Sequence, residues 1–246
     1  MSRKKKKNSI LKKFIKGNLT QLKFNLRKCK LKMEKVEFKL IKEFGPSILK
    51  VKIPNDIINK LNLYIDNIVD NKSLSNKLDH GEKLVGDVTQ EFKLEEKIMR
   101  ESGWGNFLAN CTSRWIELEL KKKITKFQLV NSWIVRQFEN EYNPTHWHGG
   151  HISGAGFLKI PKTLGKHVQE KQNREYRGGN LQLIHGSRMF LCHSTMNIIP
   201  KVGDFYFFPN YLMHTVFPFK NTKDERRSIS FNAYIDNDIY NVYGKA

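Results

Sequence analysis

From Phe127 the chain alternates. Leu129, Asn131, Trp133, Val135 and Gln137 fall on one side, and Val130, Ser132, Ile134, Arg136 and Phe138 on the other. A period of two is the signature of a strand whose faces meet different surroundings. Further strand-like runs follow at 151–160, 180–185, 204–208, 213–217 and 226–235, separated by Gly149-Gly150, Gly178-Gly179, Pro200 to Gly203 and Pro209-Asn210. Many short strands with turn residues between them predict a mainly β fold with flanking helices, a β-sandwich or jelly roll. Upstream, residues 44–54 read as a turn and a short strand. Asn55 is placed to cap a helix whose apolar positions are Ile57, Ile58, Leu61, Ile65 and Ile68. A second helix is predicted from Asn106 to Lys122, with Phe107, Leu108, Cys111, Trp115 and Leu118 on one face. Residues 70–100 are polar and mixed, and their pattern assigns no firm element. The helices precede the strands instead of alternating with them, which excludes a doubly wound α/β fold. Three parts result: a tail at 1–33, expected to be disordered; a strand and helices at 34–126 that pack on the core; and the β core at 127–246.

The chain is 39% hydrophobic with 16 Phe, enough to build a core. No apolar run approaches the ~18 residues of a membrane span. Cys29, Cys111 and Cys192 are few, unclustered and odd in number, which speaks for a reducing compartment and against a disulfide scaffold. No signal-peptide pattern opens the sequence, so a cytoplasmic location is expected.

The net charge of +20 is unevenly placed. Residues 1–33 hold 13 Lys/Arg and no acid, leaving 31 basic and 24 acidic residues after Met33, a net +7. Such a tail reads as a polybasic arm for nucleic acid or another anionic surface. Three other readings stand beside it. Lys, Asn and Ile together supply 77 of 246 residues, so AT-rich coding alone makes a chain lysine-rich. The tail also reads as a segment upstream of a start at Met33, or as a transit peptide.

Candidate chemistry is concentrated in one place. Three of the eight histidines fall within six residues, His146, His148 and His151. In an extended strand, His146 and His148 point to the same side, ~7 Å apart, and two imidazoles so spaced converge on one ion. His214 lies in a later strand that a jelly roll brings opposite the pair. Three facial ligands leave positions open for a bidentate substrate and oxygen. Taken alone, an HxH pattern is equally a surface turn. In the run from Glu225 to Asn232, Arg226, Ser228, Ser230 and Asn232 share one face and Arg227, Ile229 and Phe231 the other. An Arg and a Ser on one face grip a carboxylate, the guanidinium fork pairing both oxygens. Asn131, Trp133 and Gln137 are candidate cavity residues from the first strand, with Trp133 equally readable as plain core. The polar insertion 162–177 reads as a lid over the site or as a solvated loop.

These pieces, in this order, resemble the Fe(II)/2-oxoglutarate-dependent oxygenases, and more narrowly the phage-type oxygenases of that superfamily. The resemblance is carried by Gly178 to Leu181, Pro200 to Asp204, Phe208-Pro209, His214 to Phe219, Glu225 to Asn232 and the strand from His151 to Pro161. It is strong over Trp133 to Tyr234, weaker over 44–130, and absent over 1–33. It implies a double-stranded β-helix and Fe(II) held by His146, His148 and His214. It further implies that 2-oxoglutarate is clamped by Arg226 with Ser228 assisting, and that ascorbate serves as a reductant. Oxidative decarboxylation of 2-oxoglutarate would be coupled to oxidation of a protein side chain or small molecule, in the host cytoplasm if the gene is a phage's. His148 stands where the wider superfamily has a carboxylate. Three neutral imidazoles leave the ion's full +2 charge, and a three-His site also suits zinc. His151 is a rival ligand, or a residue of the pocket mouth. Two other functions share these features: a nucleic-acid base oxygenase or demethylase that uses the basic tail, and a non-catalytic jelly-roll binding module.

Overall fold

The computed structural model describes residues 22–23, 37–41, 45–168 and 173–241. Apart from Leu22–Lys23, the expectations for residues 1–33 lie outside the described residues. Twelve strands and five α-helices are described. The strands are β1 (Leu22–Lys23), β2 (Phe38–Ile41), β3 (Ile48–Lys52), β4 (Gln90–Lys93), β5 (Phe127–Gln137), β6 (Asn143–His146), β7 (Ile152–Lys159), β8 (Leu181–Ile184), β9 (Thr195–Ile198), β10 (Asp204–Pro209), β11 (Met213–Val216) and β12 (Arg226–Ile235). The helices are α1 (Asn55–Val69), α2 (Lys72–Leu78), α3 (Glu96–Glu101), α4 (Trp104–Leu120) and α5 (Asn237–Tyr240).

Two antiparallel sheets face each other. The larger runs β1-β5-β12-β7-β10-β3-β2, with β4 also on β5, and the smaller runs β6-β11-β8-β9. Strands from both sides of residue 127 therefore share the larger sheet. The fold is the expected jelly roll. The helices cover the outer face of the larger sheet. Ile57, Ile58, Leu61, Ile65 and Ile68 of α1 are all buried, as their spacing requires. They pack in one cluster with Trp104, Phe107, Leu108, Cys111 and Trp115 of α4 and with Phe205, Phe207, Ile229 and Phe231 from the sheet. A second cluster fills the space between the sheets: Ile48, Phe157, Leu181, Leu183, Ile198, Tyr206, Phe208 and Leu212. The alternation Phe205/Tyr206/Phe207/Phe208 thus feeds two cores in turn. Asn55 is the first residue of α1 and not its cap; Pro54 holds the N-cap position, and no side chain caps this end. Proline there lacks an N–H, but its carbonyl still accepts from Ile58 N at 3.1 Å.

Within the larger sheet, β7 and β10 pack closely at Gly156. A Cβ on this residue would lie 2.3 Å from Cδ2 of Phe205 and 2.7 Å from the carbonyl oxygen of Asp204. The second neighbour is main chain of the adjacent strand β10, so rotamer change alone cannot relieve the clash. Gly156→Ala is expected to cost about 1–3 kcal/mol through overpacking, read as a lower thermal midpoint.

Arg227 reaches the helix layer from β12. Its Nη1 donates to Asn62 O and Oδ1 at 3.1 and 3.0 Å, and its Nη2 pairs with Asp66 at 2.6 Å and with Glu225. Glu225 also pairs with Arg136 and Lys159. Arg226 and Arg227 therefore face opposite layers, as their period of two predicts.

Candidate active site

β6 and β11 pair with His146 opposite His214. This register sets two imidazoles side by side on the inner face of the smaller sheet, 4.3 Å between ring centroids. His148 lies two residues past the end of β6, outside the ladder, so its approach does not come from strand periodicity alone. The chain turns after His146 and brings the His148 ring to 4.9 Å from His146 and 4.8 Å from His214. One ring nitrogen of each residue falls in a cluster no wider than 4.8 Å that is able to hold a metal ion.

Main-chain carbonyls orient two of the rings. His146 Nδ1 lies 2.6 Å from Pro144 O, and His214 Nδ1 2.9 Å from Leu212 O. Each Nδ1 therefore carries the proton and donates it, leaving an Nε2 lone pair directed inward. His148 Nε2 and His214 Nε2 are 3.1 Å apart. Two nitrogens each ~2.1 Å from a shared ion, at right angles, lie about 3 Å apart. The same spacing suits an Nε2–H···Nε2 bond in metal-free protein. Burial keeps the cluster neutral. Desolvation, with the neighbouring imidazoles adding to it, lowers His148 to about 2 and His214 to about 3, and His146 is lowered by desolvation as well. Neutral imidazole is the form that binds metals.

A narrow cavity of about 40 Å³ joins this triad to Arg226. Its walls include Trp133, Val135, Phe157 and Val216, with Asn143, Ser228 and Ser230 adding polar edges. Arg226 is 1% exposed. Its Nε donates to Gly179 O at 3.0 Å, and its Nη1 to Gln137 Oε1 at 3.1 Å and Ser228 Oγ at 3.3 Å. Its guanidinium carbon lies 5.0 Å from the centroid of the Phe157 ring. Among the described residues it has no carboxylate partner, and its Nη2 has no hydrogen bond. Desolvation alone lowers it to about 9. A buried guanidinium without a counter-charge is costly unless an anion joins it.

Trp133 lines the cavity, its ring edge-on to His148 at 5.4 Å. Asn131 and Gln137 are not among the cavity walls. Gln137 acts from behind, its Oε1 on Arg226 and its Nε2 on the carbonyls of Glu141 and Phe217. His151 does not join the triad. After the Gly149-Gly150 turn its N–H donates to Ala233 O, its Nδ1 accepts from Ile235 N–H, and its ring stacks on Tyr240. The described residues of the insertion 162–177 pack beside Gly179, whose carbonyl holds Arg226: a Cβ on Gly179 would lie 2.9 Å from Leu164 Cδ2, Lys220 N donates to Leu164 O, and Tyr176 Oη donates to Leu164 O. The cavity walls Val135, Asn143, Phe157, Leu181 and Val216 were not singled out from sequence. Only the inward alternation of their strands marks them.

One buried group beside the site is out of character. Glu91 in β4 is 1% exposed, and neither carboxylate oxygen has a hydrogen-bond partner of ordinary geometry. β4 pairs with β5 so that Glu91 lies opposite Val135, which puts its side chain on the cavity-facing side, next to Asn143. Desolvation raises Glu91 to about 7, with Asp79 adding to the rise and the Asn143 amide opposing it.

A double-stranded β-helix with three convergent histidines and a buried arginine defines the class to which the comparisons point. Residues 131–232 match the family model described as "Putative 2OG-Fe(II) oxygenase". The matched segment contains His146, His148, His214 and Arg226. No curated protein matches the chain by sequence. Among solved structures, AviO1 from Streptomyces viridochromogenes Tue57 is 11% identical, with 76% of this chain and 88% of that chain covered and a TM-score of 0.50. The non-haem α-ketoglutarate-dependent epimerase SnoN from nogalamycin biosynthesis is also 11% identical, with 77% of each chain covered and a TM-score of 0.50. A prolyl-4-hydroxylase from Pseudomonas putida is 12% identical over 79% of this chain and 91% of that one, at a TM-score of 0.47. At such identity, the first two show the shared fold and nothing finer. No helix among the described residues is long and apolar enough to cross a membrane.

Proposed function

We propose that the chain is an Fe(II)- and 2-oxoglutarate-dependent oxygenase whose metal is held by His146, His148 and His214 and whose cosubstrate is clamped by Arg226 and Ser228. Residues 127–246 form its catalytic core. The observation that carries this reading is the single cavity that links three inward-facing imidazole nitrogens to a buried arginine lacking a carboxylate. The donor set fits the ion, because neutral imidazoles at this spacing are borderline ligands suited to Fe(II). The Arg226 end fits the far carboxylate of 2-oxoglutarate. Nη2 is free to donate to one oxygen, and the Ser228 hydroxyl, which accepts from Nη1, keeps its own proton for the other.

Iron held by His146, His148 and His214 would supply oxygen activation coupled to oxidative decarboxylation of 2-oxoglutarate. The protein's own part is placement. Gln137 and Gly179 O fix the guanidinium. Pro144 O and Leu212 O fix two imidazoles. Trp133, Val135, Phe157 and Val216 keep water from the passage between them. The substrate is a protein side chain or a small molecule bearing an oxidisable C–H bond.

The test is succinate formation from 2-oxoglutarate by purified protein with Fe(II), ascorbate and air. Turnover is expected in the wild type, even without substrate, and is expected to fall below a hundredth in His214→Ala, since loss of one of three ligands removes the ion. Turnover equal in both proteins would sink the three-His assignment.

A further inference from the structure

His148 is the ligand that no strand holds, so its position must come from elsewhere. β6 ends at His146, and β11 begins at Met213. The segments beyond these ends, 147–151 and 210–212, are fastened to each other through Asn210. His148 N–H donates to Asn210 O at 3.0 Å, and Asn210 N–H donates to His151 O at 3.2 Å. The Asn210 side chain adds a third bond, Nδ2 to His148 O at 3.1 Å. Asn210 thus holds the loop of one candidate ligand while sitting four residues ahead of another, His214. These are the two whose Nε2 atoms are 3.1 Å apart.

The amide of Asn210 is itself held. Tyr240 Oη donates to Asn210 Oδ1 at 3.1 Å, which turns Nδ2 toward His148. The Tyr240 ring stacks on His151 with centroids 3.8 Å apart and planes 9° from parallel. His151 is tied back by its N–H to Ala233 O at 2.8 Å and by its Nδ1 to Ile235 N–H at 3.2 Å. The glycine before it has φ +92°, and a Cβ there would lie 3.0 Å from Ala233 O. A side chain at Gly150 would push this loop off β12. The circuit closes from α5 through Asn210 to the ligand loop and back along β12.

We infer that Asn210 is a positioning residue of the metal centre, setting the separation of His148 and His214, and that Tyr240 of α5 sets the orientation of its amide. The inference rests on the three-His reading above. It gives His151 a role without making it a ligand: it is the platform for Tyr240. Hydrogen-bonding partners that orient metal ligands characteristically carry 10–100-fold of metal affinity, in order of magnitude about one to two decades.

The experiment is an anaerobic titration of the metal-free full chain with Co(II), following the visible ligand-field spectrum, for wild type, Asn210→Leu, Tyr240→Phe and His214→Ala. Asn210→Leu keeps volume and neutrality and all main-chain bonds while removing both side-chain bonds. It is expected to weaken Co(II) binding about 10–100-fold and to alter the spectrum of the bound ion, because one imidazole is no longer fixed. Tyr240→Phe keeps the stack on His151 and loses only the hydroxyl bond, so its change is smaller and in the same direction. Melting of each metal-free variant separates positioning from general destabilisation. Asn210→Leu binding Co(II) with wild-type affinity and spectrum, while His214→Ala does not bind, would overturn the inference and leave the three-His reading intact. Should Asn210→Leu fail to fold, wild-type affinity and spectrum in Tyr240→Phe would overturn the role of Tyr240. Wild type taking up no Co(II) would remove both readings together.

Discussion

Arg226→Ala is expected to abolish productive 2-oxoglutarate binding while leaving the metal site able to load. Truncating one partner of a buried, hydrogen-bonded charge pair costs about 2–5 kcal/mol, or at least about 30-fold in affinity. The physical reason lies in the empty side of the guanidinium. Arg226 is 1% exposed, fastened by Nε and Nη1 to neutral acceptors, and has no carboxylate among the described residues. The protein has already met the cost of desolvating the cation, so an incoming carboxylate recovers a large Coulomb term in a site closed to water. Arg226→Lys retains charge but not the fork, and its loss is intermediate. Apo stability should change little in Arg226→Ala, because removal of the desolvation cost is offset by acceptors left empty on Gln137 and Gly179. Calorimetric titration of 2-oxoglutarate into metal-loaded protein measures the first effect and thermal melting the second. Unchanged affinity in Arg226→Ala would remove Arg226 from the cosubstrate site.

Glu91→Gln is expected to stabilise the protein at neutral and alkaline pH and to flatten its pH dependence. Burial raises the Glu91 carboxyl from 4.5 to about 7. A carboxyl whose folded value lies above its unfolded value binds more protons in the native state between the two. Its contribution is complete below about pH 4.5 and is lost as the pH climbs to about 7. The loss is about 3 kcal/mol at 1.36 kcal/mol per unit. Glutamine has the same shape and does not ionise, so the variant should lose this stability step. Denaturant unfolding at pH 4.5 and pH 8 reads it directly: the two proteins converge at the lower pH and separate at the higher. Equal pH dependence in both would show that Glu91 finds a partner in solution. The position is also close to function, because Asn143 beside it lines the cavity.

Much of this architecture could be read from residue order, and the gaps have physical causes. β5 and β12 were legible from a period of two, and β7, β10 and β11 as strand-like runs set between turn residues. β4, with Gln90-Glu91-Phe92-Lys93, and β9, with Thr195-Met196-Asn197-Ile198, are four residues long and lie at sheet edges. Too few of their side chains are buried to impose a period. The triad was legible because imidazoles are scarce in this chain and two of them are two residues apart. The reason for their convergence was only half legible. His146 and His214 meet through strand register, but His148 is placed by main-chain and side-chain bonds to Asn210, a residue far along the chain that no period links to it. The same turn misdirects His151, which sits in the cluster by sequence and on β12 in space. Arg226 was separable from Arg227 because a strand sends neighbours to opposite faces. The three contacts that prepare Arg226 come from Gln137, Gly179 and Ser228, and only the last shares its strand. Glu91 carried no mark at all: a glutamate in a polar stretch gives no hint of burial until β4 is set against β5.

The central claim is that one cavity binds a divalent metal and 2-oxoglutarate together, the metal on the histidines and the far carboxylate on Arg226. Anaerobic calorimetric titration of 2-oxoglutarate into the protein, with and without one equivalent of Fe(II), tests it most directly. The account predicts strong coupling: binding at one site per chain when iron is present, weakened at least about tenfold without it, a coupling free energy of about 1.4 kcal/mol or more. The coupling should vanish in His214→Ala. Binding of 2-oxoglutarate that is indifferent both to iron and to His214→Ala would contradict it.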